Sequence, residues 1–338
     1  MQIIFEKSKK PGVHYAISPD GIELPVVDVT HPAFALTVSH SEQQTLTQEF
    51  VRRGVPLAGV PKALRRGLLQ FLLRKSILAK GIRQSEGGFM TGMHTYLLKL
   101  GPEMLGSAYS TPVDRKIAAA LPVLGVRLRM QDMAYLMADI LQPALVTDAT
   151  RPLRFINIAG GPAIDTLNTL ILLSKRDGAL ISSREVNIEV LDLEDGGPAF
   201  GQAALESLCA PNAPLRGLNI GFRHVHYDWS NTTPLKERLE AAHGQGAFIL
   251  CSSEGGLFEY GSDTDIEMNL KVLRPYSEVL GVVGSVTRAD EPVELLRQSS
   301  TAAIKPRGLE VFTRLAVTAG WKVARVVERP FSDQVLLV

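Results

Sequence analysis

The segment that most limits how this chain can fold is Phe155-Ile156-Asn157-Ile158-Ala159-Gly160-Gly161-Pro162-Ala163-Ile164-Asp165. A short apolar run ends in a Gly-Gly turn, and an apolar-periodic stretch comes directly after it. That is the pattern of a buried parallel strand, a tight turn and a helix start. Glycine lets the backbone take positive φ and come close to a ligand. Pro162 suits the first helical turn, where its missing N–H is not needed. The free N–H groups of that turn form a polar ligand site at the carboxyl end of the strand.

The alternation continues downstream. Arg154–Ile158, Val186–Leu193, Gly221–Tyr227, Ala247–Ser252 and Glu278–Val286 read as strands. Ile164–Ser174, Gln202–Leu208, Pro234–Ala242 and Thr264–Leu273 read as the helices between them. A last helix, Leu309–Ala319, precedes strands at Lys322–Glu328 and Gln334–Val338. This order predicts an α/β fold with a doubly wound, mostly parallel sheet of seven strands. Only Arg329-Pro330-Phe331-Ser332-Asp333 joins the last two strands. A parallel crossover needs about a dozen residues or more, so the C-terminal pair is an antiparallel hairpin. A sheet of this kind, built on this turn, is suited to a nucleoside.

Residues before the turn differ in character. Gln2–Phe5 and His14–Ile17 flank a Lys-Lys-Pro-Gly turn, and Pro19-Asp20-Gly21 is a second turn signal. Residues 41–145 read as helical, with Ser41 and Glu42 opening an amphipathic segment. Asp114–Leu124 and Val126–Leu141 read as two helices, and Gln142–Leu153, with Pro143 and Pro152, as the approach to the sheet. Pro61–Arg83 carries seven basic residues and no acid, with leucines at roughly helical spacing. It reads as a core-packing helix with a solvated basic face rather than a nucleic-acid or membrane-surface helix. The expected domains are a mainly helical lid or substrate domain with a short β lead-in, 1–147, and the sheet domain, 148–338.

The 338-residue chain is 45% hydrophobic, enough for a substantial core, and its net charge of +1 gives no global field toward nucleic acid or anionic lipid. Cys209 and Cys251 lack ligand-like spacing and suggest a reducing compartment. No signal h-region opens the chain, and no apolar run approaches the roughly 20 residues of a membrane span. A cytoplasmic protein acting on a small molecule is expected, without a metal, nucleic-acid or membrane partner. The apolar helices at 61–80 suit a homodimer as readily as a lid.

The alternation, the glycine turn and the terminal hairpin resemble the class I S-adenosylmethionine-dependent methyltransferases over residues 150–338. Gly308–Val338 is similar to the family's final helix and hairpin, with Ala319-Gly320-Trp321 in its small-residue turn. In the strand-one motif Gly161-Pro162 match, Asn157 stands where an acid is usual, and Ala159 and Ala163 replace glycines. Alanine does not take positive φ cheaply, so a somewhat different turn is expected there. The resemblance implies S-adenosyl-L-methionine as cofactor, held around Asn157, Ala159, Gly160 and Gly161. It implies that Asp192, next to Leu193, accepts from the ribose hydroxyls, and that Asp228 accepts from the adenine amino group under Tyr227 or Trp229. The end of strand four, Ser252-Ser253-Glu254 and on to Tyr260, then faces the transferable methyl.

In the helical part Tyr96, His94, Arg127 and Arg129 stand out. Arg129 is expected to hold the cofactor carboxylate, and Glu254 or His94 to act as base, with Tyr96 steadying the sulfonium. Methyl transfer to a small molecule is the first reading. The neutral Asn157 supports an alternative on the same fold. An uncharged α-amine could attack the cofactor's own γ-carbon, giving azetidine-2-carboxylate and methylthioadenosine. An NAD site with Asp192 as the ribose acid, and a degenerate non-catalytic binding protein, are further alternatives. His224, His226 and Asp228 alternate as metal ligands can, without an identifiable third strong ligand.

Overall fold

The computed structural model describes residues 9–54, 76–79, 90–106, 111–299 and 303–338. The expected strand Gln2–Phe5 and nearly all of the basic segment Pro61–Arg83 lie outside the described residues. A seven-stranded sheet has the order β5-β4-β3-β6-β7-β9-β8. Its members are β3 (Leu153–Ile158), β4 (Val186–Asp192), β5 (Ile220–His226), β6 (Phe248–Ser253), β7 (Val279–Thr287), β8 (Val323–Glu328) and β9 (Ser332–Leu337). The first five are parallel to their neighbours, and β9 runs antiparallel to both β7 and β8. The short Arg329–Phe331 link dictates that hairpin, as expected. From β3 the chain winds outward through β4 to β5, then returns to β6 and winds the other way. The switch point therefore lies between β3 and β6, where open α/β sheets form a crevice at the strands' carboxyl ends.

Both faces are covered, which is why the parallel strands are almost continuously apolar. One face packs on α4 (Leu121–Thr147), α5 (Ile164–Asp177) and α7 (Gly196–Leu208); the other packs on α8 (Thr233–Gly244), α10 (Asp263–Leu273) and α12 (Gly308–Thr318). Every residue of α5 from Ile164 to Leu173 is buried, as suits a helix between a sheet and a second helix. A hairpin of β1 (Tyr15–Ile17) and β2 (Glu23–Pro25) joins this core through Ala16 and Leu24. Pairing runs across Pro19-Asp20-Gly21, so the second turn signal makes the hairpin. Asn168 on α5 ties down the chain just past β2: its Oδ1 accepts from Val29 N at 2.7 Å and its Nδ2 donates to Val27 O at 2.9 Å. Residues 1–147 thus share one continuous core with the sheet among the described residues.

The helical region departs from expectation in its boundaries. Instead of 114–124 and 126–141, α3 (Pro112–Ala118) is succeeded by one long α4 that passes through Pro143. Buried Arg184 closes the end of this helix. Its guanidinium donates to Leu145 O at 3.1 Å and Asp148 O at 2.7 Å, satisfying carbonyls at the helix end. Helix α2 (Gly92–Lys99) starts at an N-cap in which Thr91 Oγ1 accepts from His94 N at 3.2 Å. It crosses the sheet's rim over the glycine turn. Two further helices, α9 (Leu257–Tyr260) and α11 (Glu291–Ser299), border the site, and α1 (His40–Arg53) packs behind them through Phe50.

Candidate active site

The turn after β3 carries three left-handed residues in five. Ala159, Gly161 and Ala163 have φ of 53°, 51° and 53°. The two alanines do adopt positive φ, a conformation that glycine takes more cheaply. Each such alanine costs about 1–2 kcal/mol. Ala159 N donates to Leu191 O at 2.7 Å and Ala163 N to Gly160 O at 2.9 Å, so neighbouring backbone holds both in place. At Gly161 a side chain is excluded by contact as well as by φ: an added Cβ would lie 3.0 Å from Gly92 Cα. One added at Gly92 would lie 2.9 Å from Gly161 Cα and 3.3 Å from Gly197 Cα. Three glycines from three elements meet there, and α2 is seated directly on the turn.

A cavity of about 390 Å³ runs along the rim beneath α2. Crossing the sheet from β5, its wall is formed by Asp228, then Asp192 and Leu193, then Ala159 to Gly161, then Glu254 to Gly256; α2 adds Gly92, Thr95 and Lys99. Asp192 Oδ2 accepts from Gly161 N at 2.8 Å and Oδ1 from Glu194 N at 3.0 Å. Each oxygen keeps a further lone pair. Burial raises the Asp192 pKa, against the two backbone donors that lower it. Asp228 is exposed and its Oδ1 accepts from Ser230 N at 2.9 Å, which lowers its pKa. The buried Tyr227 ring is fixed by its hydroxyl, which donates to Asn269 Oδ1 at 2.5 Å. Leu193 is 56% exposed, unusual for a leucine, and borders the cavity.

At the β6 end lies a buried charge cluster. Lys99 Nζ pairs with Glu254 Oε2, and Arg129 Nε donates to Glu254 Oε1 at 2.9 Å. Arg129 Nη1 reaches Glu259 Oε2 at 3.3 Å. Burial pushes the Glu254 pKa up, but Lys99 and then Arg129 outweigh it, and the net shift is down. For Glu259 burial prevails over Arg129, and Glu254 adds to it, so the net shift is up. Behind the turn, Asn157 Nδ2 donates to Ser252 Oγ at 2.7 Å and to Asp165 Oδ1 at 3.1 Å, and Ser252 Oγ donates to Asp165 Oδ2 at 2.8 Å. Burial, reinforced by Glu254, raises the Asp165 pKa to about 6.

A second cavity of about 260 Å³ shares the wall Met90, Thr95, Gly255 and Tyr260 with the first. Leu98, Val123, Val126, Ile304 and Phe331 make it mainly apolar. Its polar groups are Thr95, Arg129, Glu259, Tyr260, Thr287 and Ser332.

Several expected site residues are elsewhere. Tyr96 is fully buried on the far side of α2, where its hydroxyl donates to Pro25 O at 2.5 Å and accepts from Val27 N at 3.2 Å. It anchors the lead-in and does not face either cavity. His94 lies at the N-cap, its Nδ1 2.9 Å from Thr91 Oγ1, and does not border the first cavity. Asn157 and Ser252 are engaged in the Asp165 network, and Ser253 Oγ accepts from Leu257 N at 3.0 Å, capping α9. Arg129 is held by two carboxylates and borders the second cavity, not the first. Glu254 does face the first cavity, but a doubly paired carboxylate with a lowered pKa is a poor base. Residues 92, 95 and 99 of α2 share one helical face, a spacing that leaves His94 off it; Tyr96, four positions after Gly92 and three before Lys99, falls on the edge of the same face, so spacing alone does not separate it from Thr95. Among the described residues no group of three or more His, Cys, Asp and Glu is placed to hold a metal ion. His224 Nε2 instead lies 3.0 Å from Asp192 O.

The strand order and its antiparallel hairpin are those of the class I adenosylmethionine-dependent methyltransferase fold. No family model and no curated protein matches the chain. Among solved structures it is similar to magnesium protoporphyrin IX methyltransferase from Synechocystis PCC 6803 with bound SAH, at 11% identity over 65% of this chain and 88% of that one, TM-score 0.44. It is similar to N,N-8-amino-8-demethyl-D-riboflavin dimethyltransferase from Streptomyces davawensis, at 15% identity over 87% and 67%, TM-score 0.38. Human N-acetylserotonin methyltransferase in complex with SAM shares 11% identity over 88% and 67%, TM-score 0.39. Among the described residues no helix is long and apolar enough to cross a membrane.

Proposed function

We propose that this chain binds S-adenosyl-L-methionine along the rim cavity and transfers its methyl group to a small, mainly apolar molecule in the second cavity. The observation that carries this reading is the Asp192 carboxylate, fixed by Gly161 N–H at the switch point with lone pairs left for a vicinal diol. Asp228 would accept from the adenine amino group, and Leu193 and Tyr227 would cover the ring. The residues fit the ligand in size and polarity: acceptors at the β5 and β4 ends, an apolar strip between, and paired charges at β6.

Bound there, the sulfonium supplies a methyl carbon already activated toward a nucleophile. The protein's part is proximity and alignment, worth up to roughly 7–11 kcal/mol. If the acceptor nucleophile carries a proton, Glu259 is the better base of the two nearby carboxylates. Its pKa is raised while that of Glu254 is lowered, and it borders the acceptor cavity.

Ring closure on the amino-acid tail, releasing methylthioadenosine, is the second reading. It is favoured by Asn157, whose amide is turned into the Asp165 network, so that β3 presents no carboxylate to the cavity. It would form a bond from the α-amine nitrogen to the γ-carbon, break the γ-carbon–sulfur bond and release the amine proton.

The two are separated by incubating the protein with adenosylmethionine, with and without cell extract, and identifying the nucleoside formed. Adenosylhomocysteine only with extract supports methyl transfer. Methylthioadenosine above the spontaneous rate without extract supports ring closure. Absence of any binding rejects both.

A further inference from the structure

The ends of adjacent strands in a sheet lie about 4.8 Å apart. Asp228, Asp192, Gly160 and Glu254 stand at or just past the ends of β5, β4, β3 and β6, which are neighbours in that order. A nucleoside whose sugar sits on Asp192 with its base toward β5 must send its tail over the Gly160-Gly161 turn. It then reaches Glu254 and, over it on α2, Lys99.

Both side chains are only 3% exposed and are paired with each other. Burying an ion pair is weak as a source of stability. This pair borders the ligand cavity and joins α2 to the end of β6. Each partner also has unused capacity. The ammonium of Lys99 has three donors, of which Glu254 Oε2 takes one. Each Glu254 oxygen accepts from one cation, Oε1 from Arg129 and Oε2 from Lys99, leaving a lone pair on each. Asn157 cannot serve in their place, because its amide donates to Asp165, Thr166 and Ser252 behind the turn.

We propose that Lys99 and Glu254 together form the receptor for the zwitterionic amino-acid end of the ligand, Lys99 binding its α-carboxylate and Glu254 its α-ammonium. This rests on adenosylmethionine being the ligand of the rim cavity. It moves recognition of the tail from β3 to the end of β6 and to α2. It also makes Lys99 a link between the ligand, α2 and the end of β6, since the ammonium carried by α2 would bind the ligand while holding Glu254. A ligand that keeps the nucleoside but lacks the amino acid gains nothing from the pair.

The test is calorimetric titration of the full chain with adenosylhomocysteine and, separately, with methylthioadenosine. Wild type is compared with Lys99→Met, Glu254→Gln and the double variant Lys99→Met/Glu254→Gln. The double variant removes both charges at once and so leaves no lone buried ion from this pair. Each variant is expected to lose about tenfold or more in affinity for adenosylhomocysteine, the scale of one charged hydrogen bond. Affinity for methylthioadenosine should stay within about twofold, which also reports an intact rim. Wild type and variants binding adenosylhomocysteine alike overturns the inference, as does an equal loss of both ligands in the double variant. Wild type binding neither ligand overturns the adenosylmethionine reading itself, and the inference falls with it.

Discussion

The Asp192 carboxylate accepts the Gly161 backbone N–H at 2.8 Å, tying the end of β4 to the turn after β3. The same group therefore shapes the turn and faces the cavity. Asp192→Asn keeps the volume but removes the charge, and Asp192→Ala removes both. Both variants should bind adenosylhomocysteine at least about tenfold more weakly, and Asp192→Ala should also lose about 1–2 kcal/mol of stability. Calorimetry and denaturant titration read the two effects separately. Unchanged affinity in Asp192→Ala would place the sugar elsewhere.

The meeting of Gly92, Gly161 and Gly197 makes the seat of α2 intolerant of even one methyl group. A Cβ at Gly92 would lie 2.9 Å from Gly161 Cα, so Gly92→Ala must push the start of α2 off the rim. The expected cost is about 1–3 kcal/mol, with weaker ligand binding. Ala159→Gly should act in the opposite sense. It relieves a left-handed alanine at φ 53°, and after the greater entropy of glycine it should gain about 0.5–1 kcal/mol. Thermal melts of the two variants are predicted to move in opposite directions.

Asp165 gives the fold a pH dependence with a defined sign. Its pKa is raised from 3.8 to about 6, because burial disfavours the carboxylate. A folded pKa above the unfolded one means that the contribution is fully present below about pH 4 and is lost as pH rises toward and through about 6. The change is on the order of 3 kcal/mol. Asp165→Asn removes the titrating group while keeping an oxygen toward Asn157. Denaturant midpoints between pH 4 and 7.5 should show wild type losing stability relative to Asp165→Asn as pH rises, the gap changing most between about 4 and 6. A pH-independent gap would refute the buried-carboxylate account.

Tyr96 reads from its sequence position as a cavity aromatic, yet its hydroxyl links α2 to Pro25 and Val27. Tyr96→Phe leaves a buried carbonyl and a buried N–H without that partner. It should cost about 1–3 kcal/mol of stability and leave affinity for adenosylhomocysteine unchanged. A variant with normal stability and lost affinity would return Tyr96 to the site.

The fold was legible because its signals are local and redundant. Period-two and helical runs alternate from residue 154, the glycine turn marks the first crossover, and the Arg329–Phe331 link is too short for anything but a hairpin. Asp192, Asp228 and the turn follow from that register. What stayed hidden depends on angles that sequence spacing does not resolve. Adjacent positions on a helix differ by about 100°, so His94 and Tyr96 stand next to the cavity-facing Thr95 without sharing its direction. Ser252 and Ser253 are similarly fixed by partners distant in sequence or across a turn, Asp165 and Leu257. The Asn157 departure was visible, but its partner Asp165 is set by where α5 begins. Pro143 misplaced a helix end, and the Arg184 that caps the last turn lies 41 residues further on.

Glu254 and Glu259 are five positions apart, share Arg129, and have their pKa values displaced in opposite directions. Glu254 is held ionised by two cations and faces the rim cavity. Glu259 is more readily protonated, accepts from Thr287 Oγ1 at 3.3 Å, and borders the acceptor cavity. In a methyl transfer that needs a base, Glu259→Gln should lower turnover by about 10²–10⁴-fold while adenosylhomocysteine affinity stays near wild type. Glu254→Gln should do the reverse, weakening adenosylhomocysteine binding more than the chemical step. The wild-type rate should rise with pH through a midpoint above the ordinary glutamate range, because Glu259 must be deprotonated to accept the proton. That limb should vanish in Glu259→Gln. Single-turnover rates across pH, with the acceptor found in extract, check this directly; a Glu259→Gln enzyme of normal rate would show that the acceptor loses no proton to this group.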